Sequence, residues 1–345
     1  MLPMYLSRYF LALSLWACAT FLFSAEPDAA VPMKKIGIIG LDTSHSTAFT
    51  SDLNQPTPEA DLAGFRVVAA YAPGSPDIES STKRVSEYTE IVKKQGVEIV
   101  ETIDELVKRV DYILLESNDG RPHFEQALPV LKAGKPVFID KPVAGSLVEA
   151  IMIFEAAKKL NCPVFSSSSL RFGKGLQELR RGDSGEITGC DAYSPCSLEA
   201  THPDLFWYGI HGCETLFTVM GTGCESVSRS QTKDFELVTG QWSDGRLGTF
   251  RGIRRGASGY GGTAFTAKGV KPLGEFGGYR PLVVEIVKFF KTGTPPVSAA
   301  ETIEIYAFME AADESKRRGG SPVKLEEVLK PARAAAAERL AKLGL

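Results

Sequence analysis

Four histidines, His45, His123, His202 and His211, and one lysine at the end of an apolar stretch, Lys141, are the residues best suited to proton chemistry in this chain. Imidazole titrates near working pH and can accept a proton from a hydroxyl. An ammonium beside it can stabilise the alkoxide that develops. His211 lies in "FWYGIHGCETLFTVMG", an apolar helical pattern in which a histidine alone would read as a packed core residue. His202, Trp207 and Tyr208, in "THPDLFWYGIH", surround it with rings able to stack on a sugar face. The histidines could instead ligate a metal together with Asp42 or Glu214. No H-x-H or H-x-x-x-H spacing supports that, so no metal ligands are assigned.

A second stretch, "KKIGIIGLDTSHSTAF", is a strand that turns at Gly40 into a helix. Such a turn binds pyrophosphate when its glycines let the backbone and the helix N-terminus reach the phosphates. Counted from Gly40, the second and third glycine positions hold Asp42 and His45. Asp42 brings a negative charge toward a dianion, or else it caps the helix by accepting from the N–H of Ser44 or His45. Thr43 and Ser44 can offer hydroxyls to phosphate. His45 either pushes the helix outward or points into the crevice.

The elements that must position these residues follow from periodicity. From residue 34 to about 166, short apolar strands alternate with helical patterns of 10–16 residues, which predicts a doubly wound parallel sheet. Ligands on such sheets lie beyond the carboxyl ends of the strands. That places Ser117, Asn118 and His123 beside the crevice, along with Ser75 after the second strand. Thr102 with Glu105, Ser146 with Glu149 and Ser298 with Glu301 have capping-box spacing. Beyond residue 166, strand-like segments follow one another and "SDGR" marks a hairpin turn. The expected organisation is a domain over 33–165 and an α+β domain over 166–345, ending in a peripheral, Ala-rich amphipathic helix.

Residues 1–30 differ in kind. Arg8 precedes "YFLALSLWACATFLFSA", which is uncharged and too short for a typical span, followed by the polar "EPDAAVP". This pattern predicts a Sec-type signal and an exported protein, with no other membrane segment. A net charge of −3 gives no basic field for nucleic acid. Five cysteines lie beyond residue 30 without metal or redox spacing, and they read as buried thiols; a Cys190–Cys196 bridge stays open.

The order of "VDYILLESNDGRPHFEQALPVLKAGKPVFIDKPVAG", "SSSSLRFGKGLQELRRGDSGEITG", "FWYGIHGCETLFTVMG" and "PPVSAAETIEIYAFMEAADESKRRGGSPVKL" resembles the Gfo/Idh/MocA (glucose–fructose oxidoreductase/inositol dehydrogenase) family from residue 34 to about 327. The resemblance implies a Rossmann-type parallel sheet followed by an α+β domain with an open, mainly antiparallel sheet. It also implies an NAD- or NADP-dependent oxidoreductase of a sugar, polyol or related compound, often assembled as an oligomer through that sheet. In the family, the lysine of the Lys-Pro step and a helix histidine flank the nicotinamide; here these are Lys141 and His211, with Arg171 at the start of the second domain. The Asp commonly found four residues before that histidine is Trp207 here, leaving Asp204 or Glu214 as its partner. The acid that usually holds the ribose is Ala72, which leaves room for a 2′-phosphate on Ser75, Lys83 or Arg84. Some relatives cycle a bound NAD without net redox change, including in glycoside cleavage. Two other readings stand beside this one: a cofactor-free carbohydrate-binding protein on the same fold, and a metal-dependent hydrolase or lyase.

Overall fold

Strand β1 (Lys34–Ile39) starts with two exposed lysines and ends in four buried residues, as a central strand of a covered sheet must. It is flanked by β2 (Phe65–Tyr71), β3 (Glu98–Val100), β4 (Tyr112–Leu115), β5 (Val137–Ile139) and β6 (Val164–Ser166). All six run parallel in the order β3-β2-β1-β4-β5-β6. The order reverses between β1 and β4, which is where such sheets open a crevice. The computed structural model describes residues 32–345, so the signal reading of residues 1–30 lies outside the described residues.

Helices α1 (Ser44–Leu53), α2 (Glu79–Lys94), α3 (Ile103–Arg109), α4 (His123–Lys132) and α5 (Leu147–Lys159) connect the strands. The capping spacing is realised: Thr102 Oγ1 accepts from Glu105 N at 3.1 Å and Ser146 Oγ from Glu149 N at 3.2 Å. After β6, a short 3₁₀ turn (Ser169–Phe172) and α6 (Lys174–Arg180) lead into the second sheet.

That sheet contains β7 (Ile187–Pro195), β8 (Cys224–Gln231), β9 (Phe235–Trp242), β10 (Leu247–Ile253), β11 (Gly261–Thr266), β12 (Gly269–Pro272) and β13 (Val323–Lys324). Its order is β12-β11-β7-β10-β9-β8-β13, antiparallel except for the parallel β7–β10 pair. One face is covered by α8 (Ile210–Met220), which follows the short α7 (Asp204–Trp207), and by α10 (Ala299–Arg317). The approach of α8 is close: a Cβ on Gly212 would stand 2.1 Å from the Phe250 ring. The other face leaves Tyr193, Leu237, Leu247 and Phe265 exposed.

Two helices cross between the halves. α9 (Arg280–Thr292) packs Leu282, Ile286 and Phe289 into the same core as Ile36, Ile38 and Phe49 of the first sheet. Each such buried side chain contributes roughly 1.5–3 kcal/mol. The terminal α11 (Leu325–Lys342) buries Ala332, Ala336 and Leu340, and it lies against α5. Residues 33–345 form one compact unit. Cys162, Cys190, Cys196, Cys213 and Cys224 are buried and free, so no Cys190–Cys196 bridge forms. Burial pushes the Cys162 thiol up to about 11, and burial foremost pushes Cys196 and Cys224 up to about 12.

Candidate functional site

Gly40 ends β1 with φ +87°, and a Cβ there would stand 2.4 Å from Ser117 N, so the turn requires glycine. Four residues on, α1 begins at the carboxyl end of the sheet beside a cavity of about 280 Å³. Its walls carry Thr43, Ser44 and His45 from this turn, Ser80 and Arg84 from α2, Asn118 after β4 and Lys141 after β5. The opposite wall carries Ser169, Leu170, Trp207, Tyr208 and His211, closed by Tyr260, Phe276 and Tyr279. Lys141 and His211 therefore share one cavity, at the point where the strand order reverses.

His211 is buried on α8 with Nδ1 2.8 Å from Ser168 Oγ. Its ring lies edge-on to Tyr208 and Tyr260. Burial holds its pKa well below the ordinary value, and the neighbouring Lys141 lowers it further. The imidazole is thus neutral at neutral pH, with Nε2 left available. Lys141 Nζ lies 5.8 Å from the centre of the Tyr208 ring.

His45 points into the crevice instead of displacing α1. Its ring stacks on Phe49 at 5.2 Å and meets Tyr279 edge-on at 4.6 Å. Its Nδ1 lies 2.7 Å from Asp140 Oδ2. Asp42 is not the helix cap; Thr43 occupies that position, and the Asp42 carboxylate accepts from Ser81 Oγ at 2.7 Å and Asn118 N at 2.9 Å. Burial raises the pKa of Asp42, and those two hydrogen bonds oppose the shift.

Several residues expected at the site face elsewhere. Ser75 donates to Asp119 Oδ2 at 2.5 Å, and Ser117 Oγ donates to Gln126 at 2.6 Å. His123 is fully buried between the carbonyls of Ser117 and Val143, bracing the loop after β4. His202 sits 3.2 Å from Asp119 and packs on Trp207. Arg171 is buried between Glu214 and Glu301, at 2.7 and 2.6 Å, away from the cavity wall. Glu214 does not pair with His211; its oxygens accept from Ser167, Ser168 N and Arg171, so Ser168 alone links the two. Asp204 binds Arg229 and Lys316, and Lys83 pairs with Glu79 on the surface. Ser80, Ser169, Leu170, Tyr260, Phe276 and Tyr279 are the wall residues that sequence reasoning missed.

The residues at the turn fit phosphate oxygens. Thr43 Oγ1 is buried without a partner, α1 has no acid in its first turn, and Arg84 and Ser80 face the same space. The ribose side is crossed by ties between the loops after β2 and β4. Ser75 holds Asp119, Arg121 binds Asp77 at 2.7 and 2.9 Å, and Asn118 reaches Ser80 at 3.3 Å.

Residues 34–168 match the family model described as "Oxidoreductase family, NAD-binding Rossmann fold" (GFO_IDH_MocA). No curated protein matches the chain. Among solved structures, a dehydrogenase of Thermotoga maritima superposes with a TM-score of 0.69 at 21% identity, covering 85% of this chain and 99% of its own. The scyllo-inositol dehydrogenase of Lactobacillus casei, solved with bound cofactor NAD(H) and scyllo-inositol, gives a TM-score of 0.69 at 16% identity, covering 85% and 99%. Both share the fold of this chain. Residues 34–168 are thus similar to the NAD-binding Rossmann domain of the Gfo/Idh/MocA oxidoreductase family, and the chain as a whole shares the fold of these dehydrogenases.

Proposed function

We propose that the chain oxidises a hydroxyl of a sugar, polyol or related compound, with NAD or NADP as hydride acceptor. The observation that carries this reading is the shared cavity: Thr43, Ser44, Arg84 and Lys141 line it from the first sheet, and His211 faces them from α8. When bound, the nicotinamide supplies the hydride chemistry. Thr43, Ser44, Ser80, Arg84 and the N-terminus of α1 would hold its phosphates. Neutral His211 accepts the hydroxyl proton at Nε2 while Ser168 fixes the ring through Nδ1. The Lys141 ammonium stabilises the alkoxide, and Trp207, Tyr208 and Tyr260 form an aromatic wall for a sugar ring.

Export, read from residues 1–30, places the reaction where free NAD(P) is scarce. A cofactor held through a redox-neutral cycle suits that compartment, and the ties over the ribose side support slow release. The exposed apolar face of the second sheet, with Tyr193, Leu237, Leu247 and Phe265, supports self-association, which light scattering tests directly.

The test of the function is denaturing release of small molecules from the natively purified protein, read by mass spectrometry. It should yield NAD(H) or NADP(H) near one per chain. His211→Ala and Lys141→Ala should each lower turnover of the substrate found by screening by about 10²–10⁴-fold with circular dichroism unchanged. No nucleotide released and none bound on addition would overturn the reading, as would full turnover in either variant.

A further inference from the structure

Three neighbouring strands each deliver one metal-ligating side chain to the same place. His45 lies in the first turn after β1, Glu116 directly follows β4, and Asp140 directly follows β5. The sheet fixes their spacing: Glu116 N donates to Ile39 O at 2.7 Å and Asp140 N to Leu115 O at 2.8 Å. One ligand atom from each residue lies within 4.8 Å of the other two. Glu116 and Asp140 are fully buried, and His45 is 5% exposed.

The hydrogen bonds of this cluster are incomplete. His45 and Asp140 share one contact of 2.7 Å, but both Glu116 oxygens and Asp140 Oδ1 have no partner among the described residues. A fully buried carboxylate with no hydrogen bond is rare and costly, and buried charges are normally paired or bound to metal. Asp42 adds a third carboxylate nearby, while the Lys141 ammonium is the single cation acting on Glu116. Glu116 forms no hydrogen bond to Asp140 or His45, yet all three reach one point. That is the arrangement of ligands around an atom placed between them.

We propose that His45, Glu116 and Asp140 bind one divalent cation at the carboxyl ends of β1, β4 and β5. One imidazole with two carboxylates suits a borderline ion, Zn²⁺ or Mn²⁺, more than an all-oxygen ion such as Ca²⁺. Ligand atoms around such an ion stand about 3–4 Å apart, so a small inward rotation of the side chains closes the shell. Phe49 and Tyr279 hold the imidazole plane, and His45 connects the site to the cavity. The cation ties three strands together beneath the reaction chamber and offsets the carboxylates beside Lys141. The site stands independently of the redox reading, because none of its evidence involves a nucleotide.

The test begins with the full mature chain stripped by chelator and titrated with Zn²⁺ or Mn²⁺ alone, followed by calorimetry and, for Mn²⁺, electron paramagnetic resonance. The expected result is one equivalent bound below micromolar Kd, with a raised thermal midpoint at saturation. Glu116→Gln, which keeps side-chain size, should weaken uptake at least 100-fold while circular dichroism stays unchanged. His45→Gln should act in the same direction. Absence of uptake by the wild-type chain at millimolar metal overturns the proposal, as does unchanged uptake by Glu116→Gln. A protonated-carboxyl infrared band that disappears in Glu116→Gln, without metal uptake, would replace the cation by a proton on Glu116.

Discussion

The molecule buries charge in two ways. In the second domain, Arg229 is 2% exposed and its guanidinium meets Glu236, Asp313 and Asp204, with Arg254 also on Glu236. Arg171 similarly meets Glu214 and Glu301, where Arg180 adds a second cation. At the carboxyl ends of the first sheet, Glu116 and Asp140 are buried as deeply with unpartnered oxygens. The two arginine clusters pair α7, α8 and α10 with the sheet and the 3₁₀ turn, so their charges are matched by attraction. In the glutamate cluster only Asp140 Oδ2 is matched, by His45, and the unmatched oxygens are what the proposed cation would offset. Matched buried charge is architecture, whereas unmatched buried charge at a strand end is chemistry.

Breaking the arginine clusters should have the largest effect. Arg229→Met leaves Glu236 and Asp313 uncompensated and should cost about 3–5 kcal/mol in urea unfolding, because an orphaned buried charge is more expensive than a lost pair. Burial alone would lower the pKa of Arg171, but Glu214 and Glu301 more than reverse this. Arg171→Met should therefore destabilise by a similar amount and shift Ser168, the one partner of His211 Nδ1. If either variant unfolds like the wild type, matched charge is not what holds the second domain.

Glu116→Gln should do the opposite in metal-free protein. It removes an ionisable carboxyl whose charged form has no partner and is disfavoured by burial, so stability should rise by about 1–2 kcal/mol. Burial and the neighbouring Asp140 already push the Glu116 pKa well up. A large loss in the stripped variant would place Glu116 with the matched clusters and erase the comparison.

Acid provides a smaller and graded test. Burial lowers the pKa of both His123 and His211; hydrogen bonds to the carbonyls of Ser117 and Val143 oppose this at His123. His211 is faced by Lys141, His45, Asp140, Tyr208 and Tyr260. The unfolded histidines gain protons near pH 6.5 while the folded ones stay neutral, so the unfolded state binds more protons below that pH. Their contribution is complete above about pH 6.5 and declines as pH falls. His211→Asn should flatten the slope of stability between pH 6.5 and 5 by up to about 1.4 kcal/mol per pH unit. An unchanged slope would show that His211 already carries a proton when folded.

The smallest stability change belongs to the surface. Arg121 pairs with Asp77 where both side chains are solvent-exposed, and with buried Asp119. Asp77→Ala, which removes only the exposed pair and leaves Arg121 on Asp119, should leave the urea-unfolding midpoint nearly unchanged.

The sheet was readable because apolar strands of three to seven residues alternate with helices that carry their own caps, such as Thr102 and Ser146. The candidate site was readable in part. Residues on strand ends, His45, Asn118 and Lys141, fall where topology puts them, and Tyr208 and His211 follow from a helical pattern. Tyr260, Phe276 and Tyr279 lie in connections whose position depends on the second sheet and on α9 folding back over the first; no local periodicity announces them. The family resemblance misplaced Arg171, and the search for a replacement for its missing acid beside His211 misplaced Glu214. A buried arginine and glutamate read as site residues until the geometry shows them neutralising each other. His123 misled for a related reason, since a histidine at a strand end can serve two backbone carbonyls as readily as a ligand.

The ties between the loops after β2 and β4 have a kinetic consequence. They lie across the path by which a dinucleotide would come and go, so they govern how long a molecule stays more than how tightly it is held at equilibrium. Each opening requires Ser75 to leave Asp119 and Arg121 to leave Asp77 together, and the ionic part of that latch weakens with salt. Residence time should therefore shorten as ionic strength rises, turning a resident group into a travelling one.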